Sequence, residues 1–338
     1  MPAVTAYHGP PPLTLTRALT SWQFDPWALA FLALLGVAYA VGVRRARLRG
    51  SAWPAGRIVA FWAGGLGLAA VATCSFIGVY WPVLFYVRAV QTVLLLLPVP
   101  LFLALGRPLR LIAAQSAAAE RAIRTAVSGR LARILTFPAI TSGLLILTPF
   151  VLYFTPWYAA GFHSELIREL TCLALPLPGL PFFWTLLRVD PVPRQFPYLV
   201  ALWISAAEVV GDAFLGLAVI ASNELIAGGY YHSIGRTWGP SLATDQVLGG
   251  GVLWILGDIV GLPFVAAILI AMIREDESEA REVDAELDAR EASQAASADA
   301  TLEADSVSRP WWLGDPRFSS RFAPVEGTVP ERDEGGSG

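Results

Sequence analysis

Several ionisable and polar side chains fall inside long apolar stretches, and these are the residues that could do chemistry. Arg88, Gln91 and Thr92 lie three and four residues apart, so they share one face of a helix. Arg168 and Cys172 share another face, with Glu169 beside them, and Glu208 and Asp212 are four residues apart in a later stretch. Asp245 and Gln246 stand just before the last apolar run and Asp258 stands inside it. A charge at membrane depth costs about 2.5–3.5 kcal/mol on insertion scales, so it persists where it is paired, hydrated or used. Two readings stay open. In one, Arg88 pairs with Asp212 or Glu208 and locks the register of a bundle. In the other, the same groups line a polar cavity that handles a metal ion, a proton or a cofactor. The metal donors on offer are few: Cys172, Asp212 and His163 are the candidates, with Cys74, His232 and Met272 elsewhere. No phosphate-binding glycine loop, nucleotide fingerprint or HExxH is present, and no serine sits in a nucleophile elbow. The chain is therefore read as a non-enzyme, with membrane lipid among its partners and no nucleic acid.

The elements that must position these residues are set by composition. The chain is 55% hydrophobic and 15% charged with a mean hydropathy of +0.55, whereas soluble domains carry about 25% charged residues. Apolar runs near 26–43, 58–80, 83–105, 135–154, 166–187, 198–221 and 247–273 are each about the length that crosses a hydrocarbon core. The expected fold is all-α, a polytopic membrane bundle of about seven transmembrane helices. It divides into an outer N-terminal segment (1–25), a transmembrane domain (26–274) and an acidic, largely disordered cytoplasmic tail (275–338). Pro98, Pro100, Pro176, Pro178 and Pro181 predict kinks in the third and fifth spans. No charged segment followed by an apolar run opens the chain, so no cleavable signal is expected and the first span serves as the insertion signal.

Charge sets the orientation. Every basic residue but the histidines is an arginine, and fourteen of them fall on one side of the predicted spans: Arg44, Arg45, Arg47, Arg49 and Arg57, then Arg107, Arg110, Arg121, Arg124, Arg130 and Arg133, then Arg188 and Arg194, and finally Arg274. The other side has Arg17 and Arg236 and is rich in Trp and Tyr instead. The first side is predicted to be cytoplasmic, with the N-terminus outside and the C-terminus inside. The loop 106–134 has the pattern of an amphipathic surface helix. Residues 275–305 predict a helical extension that then frays, and Trp311 and Trp312 stand in a stretch read as loose chain.

Four stretches together resemble a known family. They are Trp22-Gln-Phe-Asp-Pro26 with the arginine-rich turn ending at Trp53-Pro54; Gln91 through a Leu-rich run to Leu105-Gly-Arg-Pro-Leu109; Phe183-Trp184 with Asp190-Pro191 and Pro193; and the run Tyr230-Tyr231, Trp238-Gly239, Asp245-Gln246, Gly249-Gly250-Gly251 and Trp254. Over residues 20–275 the chain resembles the CtaG-type cytochrome c oxidase assembly proteins, seven-helix proteins linked to copper insertion. The resemblance implies a role in oxidase biogenesis in a bacterial plasma membrane, with copper as the metal and oxidase subunits as partners. It also implies a departure. Where the family carries a His-x-x-x-His pair in the third span, this chain has Arg88 and Thr92; where it has histidines early in the fifth, this chain has Arg168 and Cys172; where it has a His before Ala-Phe-x-Gly, this chain has Asp212. The copper site is therefore expected to be degenerate or altered, with an Arg88–Asp212 ion pair in its place. Gly249, Gly250 and Gly251 are read as a close-packing run. The alternatives are a transporter of a small ion or metal, built on the proline-broken helices, and a non-catalytic docking subunit whose acidic tail recruits a partner.

Overall fold

The computed structural model describes residues 7–187 and 197–308. Arg188, Asp190, Pro191, Pro193, Arg194, Trp311 and Trp312, and the predicted disorder from 309 onward, lie outside those residues. The described chain is helical throughout. A short helix α1 (Leu15–Thr20) precedes α2 (Pro26–Leu48). Then come α3 (Ala55–Tyr80) and α4 (Phe85–Ala113), two short helices α5 (Ala117–Ser128) and α6 (Arg130–Leu135), and a bent pair, α7 (Pro138–Phe154) and α8 (Pro156–His163). The last four are α9 (Glu165–Leu187), α10 (Tyr198–Ala221), a short α11 (Gly228–Ile234) and α12 (Leu242–Ser308). Six of these are long and apolar enough to cross a membrane, and the α7–α8 pair, bent by 64°, is a seventh when taken as one span. The chain is a multi-pass membrane protein.

Local chemistry explains where these helices start and break. Asp25 accepts the Ala28 N–H at 3.0 Å and Pro26 occupies the first turn of α2, where its missing N–H costs nothing. The third and fifth spans break at Pro98 and Pro176, as the prolines predict. The second span departs from regular geometry twice without a proline. Residues Ala60–Gly67 form a π-helical segment. Its Gly64 and Gly65 lie against Phe102 and Leu103 of α4, where an added Cβ would overlap both side chains; the wide turn and the bare backbones together let α3 and α4 pack closely. Farther along, α3 breaks at Ser75, and the carbonyls freed there are taken by the segment before the first span. Gln23 donates its backbone N–H to Cys74 O at 2.8 Å and its side-chain Nε2 to Thr73 O at 2.9 Å.

The main apolar core joins α4, α7, α9, α10 and α12 around Leu95, Leu145, Leu175, Phe182, Leu215 and Leu253. A smaller one sits where α2, α3 and α4 meet. Its centre is Tyr39, whose hydroxyl accepts from Trp53 Nε1 at 3.1 Å, donates to Gly106 O at 2.9 Å, and whose ring stacks on Phe61. The amphipathic helix expected in 106–134 is α5, which exposes Arg121 and Arg124.

Residues 1–273 form one compact unit and 274–338 a second. The described part of the second unit is helical through Ser308, with exposed pairs Arg281–Glu277 at 3.2 Å and Arg290–Glu286 at 3.9 Å. Such pairs add only a few tenths of a kcal/mol, about 0.3–0.5 each.

Candidate functional site

The first turns of α4 aim Arg88, Gln91 and Thr92 inward, and all three are buried. Arg88 is 4% exposed. It donates to Gln91 Oε1 and lies 5.0 Å from the Trp81 ring centroid, a cation–π contact. The Cys172 thiol of α9 lies near enough to feel its charge. Its Nε has no partner, and no described carboxylate forms an ion pair with it. The expected pair with Asp212 or Glu208 is therefore not formed. Those two carboxylates meet α12 at Gly257 and Gly261. Gln91 in turn donates to Ala72 O at 2.7 Å, and Thr92 shares a 2.9 Å hydrogen bond with the Tyr153 hydroxyl. A second hydroxyl pair, Tyr158–Tyr231 at 2.7 Å, closes the other side, with the Phe85 ring packed among all three tyrosines. Burial pushes the Tyr231 phenol far above its ordinary range, so it stays neutral and acts through its hydrogen bond.

These residues do not fit copper. Among the described residues no group of three His, Cys, Asp or Glu side chains could hold a metal ion. Cys172 offers one soft donor, but a guanidinium adjoins it, and a fixed cation repels a metal cation. His163 lies edge-on to the Tyr230 ring at 5.9 Å. Asp212 faces a different helix pair altogether.

Arg168 and Glu169 make their own cluster at the start of α9. Arg168 contacts Glu169 at 2.6 Å, Glu165 at 3.2 Å and Asp25 at 3.7 Å, so it ties the first turn of α9 to that of α2. Beside it, Glu169 and Cys172 form the polar edge of an otherwise apolar cavity of about 250 Å³ that includes Phe31, Leu66, Leu95 and Leu177.

Glu208 and Asp212, half-way along α10, form a separate group with Asp258 of α12. Both are buried, they stand one helical turn apart on one face of α10, and the Asp258 charge acts on both.

The run from Tyr230 to Gly251 is mostly architecture. Asp245 accepts the Tyr86 N–H at 3.0 Å and pairs with Arg236 at 3.1 Å, and the two side chains are 1% and 2% exposed. Arg236 also donates to Trp238 O and Pro240 O, folding the loop before α12 around itself. Gln246 accepts from Ile226 N and donates to Val219 O and Glu224 O, which holds the turn where Ala227 takes a left-handed φ of 53°. Tyr230 stacks on Phe162. Gly249 lies against Phe85, Gly250 and Gly216 pack backbone to backbone, and Gly251 has open space beside it. The first two are close-packing positions.

Sequence reasoning missed Trp81, Tyr153 and Tyr158 at Arg88, Asp25 at Arg168, and Arg236 at Asp245. A tyrosine in an apolar run and a lone arginine on the poorly charged side were the available signals.

A profile of the cytochrome c oxidase caa3 assembly factor family matches residues 37–275. Among curated proteins, an uncharacterized protein of Mycobacterium bovis is 27% identical over 290 residues, covering 83% of this chain and 44% of the relative. An uncharacterized protein of Mycobacterium tuberculosis matches to the same extent. One of Mycobacterium leprae is 28% identical over 278 residues, covering 80% of this chain and 42% of the relative. The chain thus spans less than half the length of these relatives. No solved structure matches.

Proposed function

The chain belongs to the cytochrome c oxidase caa3 assembly factor family, and from that membership we propose that it acts in oxidase biogenesis as a non-catalytic membrane factor that does not itself carry copper at Arg88. The observation that carries the second half is the Arg88 guanidinium, buried with Gln91, Trp81 and Cys172 and with no carboxylate to neutralise it. A fixed positive charge in that position favours an electron-rich or anionic group and disfavours a metal cation. The partner is an oxidase subunit, and the role is to hold or orient it during assembly. Deletion of the gene is expected to lower oxidase activity several-fold, without rescue by added copper. Normal oxidase levels in the deletion strain would remove the assembly role, and full rescue by copper alone would remove the copper-free part.

The arginine-rich loops, Arg44–Arg57 and Arg107–Arg133, support a cytoplasmic placement of that side, with the N-terminus outside. Single cysteines introduced at Arg49 and at Ser233, in a background lacking Cys74 and Cys172, test it. In intact cells a membrane-impermeant thiol reagent is expected to label position 233 and spare 49; the reverse pattern inverts the topology.

A further inference from the structure

We propose that Glu208, Asp212 and Asp258 form a proton-binding site at the crossing of α10 and α12, in which Glu208 and Asp212 share one proton. The argument starts from what surrounds them. Glu208 is 5% exposed and Asp212 8%, and neither makes an ion pair with any described arginine. Glu208 Oε1 and Asp258 Oδ1 are buried and accept no hydrogen bond from any described donor. The two carboxyls stand one helical turn apart on the same face of α10 and meet the same stretch of α12, at Gly257 and Gly261. With no described arginine paired to either, one carboxyl keeps its proton, and only a protonated carboxyl can donate to its neighbour. The low-dielectric surroundings act in the same direction, because two adjacent uncompensated charges at this depth repel each other with little screening.

The backbone is shaped to hold the pair. Gly257 leaves the space that Asp212 fills, since a Cβ there would overlap Asp212 Oδ2. Gly261 lies beside Glu208 Oε2, where an added Cβ would stand in ordinary contact at 3.5 Å. About one turn along α10 from Asp212, and about two along α12 from Gly257, Gly216 and Gly250 bring the two helices into backbone contact. The other element packed on this stretch is α7, which meets Gly211 with Ile146. Its one ionisable residue, Tyr153, is engaged with Thr92 at Arg88. Among the described residues Asp258 is the further charge that acts on the pair, and it raises the repulsion. Among the described residues no group of three His, Cys, Asp or Glu side chains could hold a metal ion, and the ligand proposed for the pair is a proton. Loss of that proton would add a second negative charge at a glycine-cradled crossing and push α10 and α12 apart, so occupancy of the site is coupled to their packing.

Infrared spectroscopy on the full chain in lipid nanodiscs tests this. At neutral pH the wild-type protein is expected to show a protonated-carboxyl stretch that shifts on exchange into D2O. In Glu208→Gln or Asp212→Asn that band is expected to be lost or displaced, with helicity by circular dichroism unchanged. Absence of the band in the wild-type protein at neutral pH overturns the proposal without any variant needing to fold. Persistence of the same band in both variants overturns it too. If sodium or zinc ions at constant pH abolish the wild-type band, the occupant is a metal cation and the proton assignment fails.

Discussion

Asp245→Ala is expected to destabilise the folded chain by about 3–5 kcal/mol, the scale for breaking a buried ion pair by removing one partner. Arg236 would be left without a counter-charge, because its other contacts are the carbonyls of Trp238 and Pro240 and the Trp238 ring. The Tyr86 N–H at the start of α4 would lose its acceptor as well. Asp245 therefore ties the loop before α12 to the first turn of the helix that carries Arg88. Thermal unfolding of the purified protein in nanodiscs measures the effect. Asp245→Asn keeps an acceptor for Tyr86 and should cost less, and Arg236→Met combined with Asp245→Leu should recover much of the loss, since an apolar pair needs no counter-charge. An Asp245→Ala protein as stable as the wild type would show that the pair does not hold the loop.

Arg88→Met is expected to separate function from stability. A buried charge without a carboxylate partner contributes little to folding, and apolar replacement of buried ionic groups is neutral or stabilising by about 1–4 kcal/mol. The variant should therefore unfold no earlier than the wild type. In the deletion strain it should nevertheless restore oxidase at least about tenfold less well, the loss that 1.4 kcal/mol of interaction with a partner group would cause. Arg88→Lys, which keeps the charge but not the planar fork, should fall between the two. Wild-type levels of oxidase with Arg88→Met would mean that the guanidinium only fills space beside Trp81.

The spans were legible because twenty apolar residues leave few alternatives, and the proline breaks were legible because proline removes a donor. The π segment in α3 and the break at Ser75 were not, because nothing in Ala60–Gly67 or Cys74-Ser75-Phe76 changes the donor count. Their cause is tertiary, in the close approach of Phe102 and Leu103 and in the carbonyl contacts of Gln23. At the site, helical spacing placed Arg88 with Gln91 and Thr92 but could not say which helix they face. The expected Arg88–Asp212 pair failed for that reason: spacing fixes which residues share a face, whereas Gly257 on another helix leaves the space that the Asp212 carboxylate occupies. The motif from Tyr230 to Gly251 was visible as a pattern, while its content, a buried Arg236–Asp245 pair, depended on a loop folding back over nine residues.

Gln23 gives the stretch ahead of the first span a duty unusual for such a segment. By stoppering the two carbonyls freed at Ser75, it serves as a plug in another helix, and an unfilled polar gap in a membrane helix is a place where water enters. Purification handles, reporter fusions and signal sequences grafted close to Trp22 would tug on that stopper, so whatever is appended at this end needs a spacer long enough to let Gln23 stay seated.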